Sequence, residues 1–178
     1  MKIEKELLPG AWLVKLIHHQ DRRGNFVKKF TKTFFQAHGM EHEFTESFYT
    51  TSQKNAIRGM HFFAPPRDHV KTVLCAAGSV KDVLLDLRTG PGYGAVAEII
   101  LESAHPKLIY IPKGVAHGFL SLEDNSVIVY NTTTEYASEC DMGVHWNSFG
   151  HDWNVNQEVI ESPRDQSLIH FKDFKSPF

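Results

Sequence analysis

Between residues 44 and 146, turn residues cut this chain at close spacing into short β-branched and aromatic runs, and that punctuation restricts its fold more than any other feature. The runs are Phe44–Thr51, Thr72–Ala76, Val80–Leu87, Val96–Leu101, Leu108–Ile111, Gly118–Leu122 and Ser126–Thr132. Ala77-Gly78-Ser79, Thr89-Gly90-Pro91-Gly92 and Glu123-Asp124-Asn125 are among the breaks. Glycine, proline and asparagine set the backbone angles that tight turns need, so they mark strand ends. No helix-length period separates the runs, which argues against a doubly wound α/β sheet and for an all-β sandwich or barrel. The expectation is one domain over 1–178, with a leading segment 1–56, a barrel core 57–146 and a C-terminal tail 147–178. In the leading segment, Trp12–Ile17 reads as a strand and Asp21–Asn25 as a turn. Thr31–Gly39 reads as a short helix, with Thr31 as N-cap and Gly39 as its stop. Pro163–Leu168 starts a short helix in the tail.

Composition narrows the function classes. The chain has 178 residues, 42% hydrophobic and 22% charged, with a formal charge of −2. That length supports one real core but hardly a second domain. The charge leaves no basic footprint for nucleic acid. Two cysteines, Cys75 and Cys140, do not make a disulfide framework and fit a reducing compartment. No stretch reaches the ~18 apolar residues of a membrane span, and MKIEKELLPG has no apolar leader run. The expected location is the cytoplasm.

One strand carries an odd pattern. Alternation in Val80–Leu87 puts Asp82, Leu84 and Asp86 on one face and Val83, Leu85 and Leu87 on the other. Two acids on one face of an apolar strand fit either a polar, ligand-holding barrel mouth or a solvent-facing edge.

Three segments concentrate chemistry: Arg58-Gly59-Met60-His61-Phe62-Phe63 with Lys71; Ile111-Pro112-Lys113-Gly114-Val115-Ala116-His117-Gly118-Phe119; and Val129-Tyr130-Asn131-Thr132-Thr133 with Tyr136 and His145-Trp146-Asn147. A metal-binding cupin would need two histidines one residue apart, then a glutamate and a later histidine. Pro112-x-Gly114-x-x-His117 matches the later half, but Phe63 stands where the second histidine belongs. The reading therefore assigns no metal, with a metal-dependent cupin enzyme such as a dioxygenase as the alternative. His69 lies too far along to fill that gap, and His18, His19, His38, His42, His105, His151 and His170 have no partner pattern and are expected at the surface.

These segments, together with Gly78–Arg88, closely resemble the dTDP-4-dehydrorhamnose 3,5-epimerase family over about Asp21–Asp165. The resemblance implies a jelly-roll, cupin-type β-barrel with short peripheral helices, a homodimer, no cofactor, and a nucleotide-diphosphate 4-keto-6-deoxy sugar as substrate. It implies inversion of C3, C5 or both by proton abstraction beside the C4 ketone. Such a reaction needs a base on one face of the sugar, a stabilised enolate, and a proton donor on the other face. His61 matches the family base, and Asp165 the carboxylate that supports it. Lys71 matches the cation near the enolate oxygen, and Tyr130 the opposing acid. Arg58, His117, Tyr136 and Arg164 match pocket residues, and Asp82 is placed to orient Lys71 or a ring nitrogen. Arg23 is kept in the nucleotide shell. Lys28 replaces a family glutamate, Glu46 a glutamine and Phe48 an asparagine, so the base need not be thymine. Glu46 either faces a donor-rich edge such as guanine or pairs with Lys28. A non-catalytic nucleotide-sugar binding module is the remaining alternative.

Overall fold

The structure is a computed structural model and describes residues 1–155 and 157–178. Among the described residues, thirteen strands are formed: β1 Lys2–Leu8, β2 Ala11–Lys15, β3 Ile17–Asp21, β4 Gly24–Lys28, β5 Glu46–Ser52, β6 Ile57–Phe63, β7 Lys71–Ala77, β8 Ser79–Asp86, β9 Val96–Glu102, β10 Lys107–Ile111, β11 Val115–Ser121, β12 Ser126–Thr132 and β13 Asp141–Gly143. Two short helices, α1 Lys32–Ala37 and α2 Pro163–Gln166, lie outside the sheets. The strands form a six-stranded sheet, ordered β1-β2-β10-β7-β12-β5, and a five-stranded sheet, ordered β13-β6-β11-β8-β9, while β3 and β4 pair only with each other. All pairings within the sheets are antiparallel. Two such sheets closed on a shared core are a jelly-roll barrel of the cupin type.

Strand alternation builds the layers. Val73, Cys75, Ile109, Ile111 and Ile128 of the first sheet meet Val80, Leu84, Leu101 and Phe119 of the second in a common core. The alternate residues of the second sheet, Met60, Phe62, Val83, Leu85 and Leu120, form an outer cluster under Trp153 and Phe174 of the tail. Those of the first sheet, Val14, Leu74 and Leu108, pack beneath Phe35 of α1. Each fully buried aromatic such as Phe35 or Phe119 contributes roughly 1.5–3 kcal/mol by leaving water.

This layering decides the face of Asp82, which lies in the barrel interior with Val80 and Leu84 and is fully buried. Asp86, at the end of the same row, pairs with Arg88 at 2.6 Å.

Several sequence expectations are altered. Trp12–Ile17 is two elements, because the chain breaks at buried Leu16 and β3 leaves the sheet to join β4. β1, β2 and β5, all from the segment before residue 57, form half of the six-stranded sheet. Thr31 is the N-cap residue of α1 but makes no side-chain cap bond, and Gly39 follows the helix at φ +65°. His151 is mostly covered rather than at the surface, because it packs on Phe149 and Trp153 beside Glu98.

Candidate active site

One end of the barrel opens into a cavity of about 360 Å³ lined by residues of both sheets. His61, from β6, lines it. Its ring Nε2 lies 2.8 Å from Asp165 Oδ1, and Asp165 Oδ2 accepts the Gly59 N–H at 3.1 Å. The position of Asp165 follows from local sequence. Ser162 caps α2 by accepting the Asp165 N–H at 3.1 Å, and Pro163 supplies the first helical residue without needing a donor. The carboxylate is thereby aimed at His61. Burial pushes the Asp165 carboxyl up, but the His61 hydrogen bond and charge, the Gly59 amide and Arg164 outweigh it and hold it below the usual carboxylate range. An ionised Asp165 can only accept, so His61 Nε2 carries the proton and Nδ1 is left as the basic nitrogen.

His117, from β11, is the cross-strand partner of His61. Its Nε2 lies 2.8 Å from Asp82 Oδ2, a contact shut away from solvent on both sides. Burial raises the Asp82 pKa, with His117 and Lys71 pulling it part of the way back. Asp82 Oδ1 has no hydrogen-bond partner among the described residues. Two histidine–aspartate pairs thus stand side by side on one wall.

The close approach of β6 and β11 depends on glycine at two positions. A Cβ on Gly59, whose φ is +120°, would lie 2.6 Å from Gly118 Cα and 2.8 Å from His117 O. A Cβ on Gly118 would lie 2.7 Å from Met60 Sδ and 2.8 Å from Arg58 O. The register also slips here: Phe119 pairs with Arg58 while His117 pairs with His61, so three steps on β6 face two on β11. This bulge lets Arg58 and His61, three residues apart, both line the cavity.

The six-stranded sheet supplies the opposite wall. Lys71 at the start of β7 is buried, and its Nζ donates to His61 O at 3.2 Å, bridging the two sheets. Burial lowers its pKa to about 8 against the upward pull of Asp141 and Asp82. Tyr130 on β12 is buried, and burial raises its pKa, keeping the phenol protonated. Its ring lies 6.1 Å from that of His117.

The other expected residues divide. Arg58 lines the cavity with its guanidinium steered by Ser52 Oγ at 3.0 Å and Thr51 O at 3.3 Å. Arg164 lines it in a 2.8 Å ion pair with Asp141. Tyr136 stands exposed at the mouth, its amide donating to Glu46 Oε2 at 2.6 Å. Glu46 therefore anchors that loop and does not pair with Lys28 within the chain, because Lys28 lies on the separate β3–β4 hairpin. Arg23, at the tip of that hairpin, pairs with Asp21, and its side chain is 86% exposed. Neither Arg23 nor Lys28 lines the cavity, and Asp165 and Asp82 support the histidines that do.

Sequence reading passed over His69, Asp141 and Thr50 as lining residues. His69 precedes Lys71 by two, and same-face alternation could have found it. Its ring stacks on Phe63 at 4.5 Å and hydrogen-bonds Thr134 Oγ1 at 2.9 Å. Burial, then Lys71 and Lys113, lowers its pKa to about 3, so it is neutral. Phe63 thus fills with an aromatic stack the place where a metal cupin has a histidine. Nothing in the sequence marks Asp141.

Taken together, the site offers a base on one sheet, an acid on the other, and a buried cation linking them, the set needed to move a proton beside a carbonyl. Comparison with known proteins agrees. Residues 5–173 match the family model described as dTDP-4-dehydrorhamnose 3,5-epimerase. The Escherichia coli dTDP-4-dehydrorhamnose 3,5-epimerase is 35% identical over 153 residues, covering 84% of this chain and 83% of the relative. The solved structure of a Mycobacterium tuberculosis epimerase superposes with a TM-score of 0.91 at 32% identity, covering 97% of this chain and 90% of that one. A Legionella pneumophila dTDP-6-deoxy-D-glucose-3,5-epimerase, solved with dTDP-4-keto-L-rhamnose, gives 0.92 at 27% identity, covering 98% and 94%. On the family match, the relatives and the site together, the chain belongs to the dTDP-4-dehydrorhamnose 3,5-epimerase family.

Proposed function

We propose that this protein epimerises C3 and C5 of a nucleotide-linked 4-keto-6-deoxy sugar, as an isomerase of deoxysugar precursor synthesis. The observation that carries the reading is that His61 and Tyr130 come from opposite sheets and line one cavity. His61 Nδ1 removes the proton next to the ketone, and Asp165 stabilises the resulting imidazolium. Lys71 lies beside the developing enolate oxygen, where a fixed cation helps only as charge appears. Tyr130 returns a proton to the other face, and repetition at the second carbon completes the inversion. Arg58 and Arg164 hold the diphosphate, which pairs well with planar guanidinium groups. Tyr136 at the mouth receives the nucleotide base, for which the relatives' names favour dTDP.

The working unit is a single catalytic domain, cytoplasmic and homodimeric. Support for the dimer comes from the β3–β4 hairpin, which joins neither sheet and leaves Phe26 57% exposed beside Arg23 and Lys28. Sedimentation at micromolar concentration should give twice the chain mass; a monomer would remove this element.

The test of function is a panel of dTDP-, GDP- and CDP-linked 4-keto-6-deoxy sugars, with products identified by NMR. Inversion at both carbons of the dTDP sugar is expected. Inversion at one centre would narrow the reading to a mono-epimerase. Binding without turnover of any member would replace it with a non-catalytic module.

A further inference from the structure

The cavity wall holds a nitrogen that the proton transfer does not use. His69 stands just before β7, two residues ahead of Lys71, and its ring stacks on Phe63 of β6 at 4.5 Å with an interplanar angle of 29°. Both rings line the cavity. His69 Nδ1 lies 2.9 Å from Thr134 Oγ1, and that hydroxyl donates to Arg67 O at 3.3 Å. A threonine hydroxyl has a single proton, and a carbonyl oxygen only accepts. Thr134 therefore gives its proton to Arg67 O and accepts from His69. That places the ring proton on Nδ1 and leaves a lone pair on Nε2. Burial, with Lys71 and Lys113 nearby, keeps the ring from taking a second proton. His69 is only 8% exposed. Its Nε2 has no hydrogen-bond partner among the described residues, yet unlike Asp82 Oδ1 it is not sealed from solvent. The open side of the ring is the cavity.

We propose that His69 is a specificity-determining residue whose Nε2 accepts a hydrogen bond from a hydroxyl of the sugar ring, at C2 or C3. The inference rests on the epimerase reading, which puts a nucleotide-linked sugar in this cavity. The parts of such a ligand differ in what they offer. A diphosphate presents only acceptors, which a lone pair repels. The ketone at C4 is also an acceptor, and Lys71 takes it. The hydroxyls at C2 and C3 are the donors left on the ring of a 4-keto-6-deoxy sugar. Position agrees with this: Phe63 follows His61 by two residues, about 7 Å along β6, so the stacked pair lies next to the base. The carboxylates on the same wall are engaged elsewhere, Glu46 Oε2 by the Tyr136 amide and Asp141 by Arg164. The stack on Phe63 and the bond to Thr134 fix the plane and the tautomer of His69, so the acceptor is set before the ligand arrives. A sugar lacking the hydroxyl would fill the cavity and leave that acceptor unpaired.

The experiment is a cycle between residue and substrate. Wild type and His69→Phe, which keeps the stack but has no acceptor, are compared on dTDP-4-keto-6-deoxyglucose and on its 2-deoxy and 3-deoxy analogues. The readout is kcat/KM for inversion at C5. Wild type should prefer the parent sugar to one of the analogues by about tenfold or more. His69→Phe should lose that preference, slowing on the parent by about tenfold while handling the same analogue at close to the wild-type rate. Which analogue it is distinguishes C2 from C3. Thr134→Val frees the tautomer without touching the ring, and should weaken the same preference; it carries the test if His69→Phe does not fold by circular dichroism. Inhibition by dTDP should be unchanged in both variants. A loss there as large as on the parent sugar would put the donor on the nucleotide and overturn the assignment. No loss on the parent, an equal loss on all three substrates as packing alone would give, or a wild type indifferent to both hydroxyls also overturns it. Inversion of none of the three by the wild type would instead overturn the epimerase reading.

Discussion

Replacing Asp165 by asparagine tests how His61 is made a base. The carboxylate is buried and uses both oxygens: Oδ1 takes the His61 Nε2 proton at 2.8 Å, and Oδ2 takes the Gly59 N–H at 3.1 Å. An asparagine has one oxygen and one NH2. If its oxygen serves His61, its NH2 faces the Gly59 N–H, two donors in contact. If its oxygen serves Gly59, the NH2 points at Nε2, which must then become the acceptor. The ring proton moves to Nδ1, and the basic nitrogen is lost. A hydrogen bond to a charged group is worth about 1.5–3 kcal/mol, or roughly 10- to 150-fold in rate at ~1.4 kcal/mol per decade. The same exchange in the serine-protease triad, where the tautomer also flips, costs about 10⁴. The expected loss in kcat is therefore between about 10² and 10⁴, with KM nearly unchanged, because no sugar contact is removed. Deuterium wash-in and inversion should fall in parallel, unlike in Tyr130→Phe, because proton removal precedes both. A rate within about tenfold of wild type, with the mutant folded, would refute the assignment of Nδ1 as base.

Further outcomes follow from the surrounding geometry. Lys71, with its pKa lowered to about 8, should carry its charge below that pH and lose it above, so kcat should fall as pH rises through about 8; Lys71→Arg should shift or remove that limb in a pH–rate profile. Asp165, held below the usual carboxylate range, contributes stability that is present above the unfolded-state pKa and lost as pH falls through its folded value; urea unfolding below about pH 4 should weaken the wild type more steeply than Asp165→Asn. Gly59→Ala meets backbone atoms at 2.6 and 2.8 Å in a left-handed conformation, and should cost about 3 kcal/mol or more in urea unfolding, against roughly zero if the strands can part freely.

The fold was legible where turns and alternation agree. Val80–Leu87 and Ser126–Thr132 are short apolar-rich runs bounded by turn residues, and both are strands; β12 alternates buried and half-buried positions, while β8 is buried on both faces. β6 was readable only as a motif. Arg58, Gly59 and His61 break its apolar pattern, and the bulge beside Gly59 shifts its faces, which no alternation rule anticipates. Asp165 and His61 lie 104 residues apart, and residue types alone do not bring a tail helix to a barrel strand; their pairing came from resemblance. Asp82 could be narrowed to two environments from its strand, and only the closing of the barrel chose the interior. Glu46 was harder still, because its partner is a backbone amide on a loop and leaves no trace in side-chain types.

The most direct measurement follows wild type and His61→Asn on dTDP-4-keto-6-deoxyglucose in deuterium oxide, reading deuterium and configuration at each carbon by NMR. The expected result is solvent deuterium at C3 and C5 of inverted product in the wild type, with both exchange and inversion lost by more than about 10² in His61→Asn. Inversion without solvent deuterium, or exchange at the wild-type rate in His61→Asn, would contradict proton abstraction by His61.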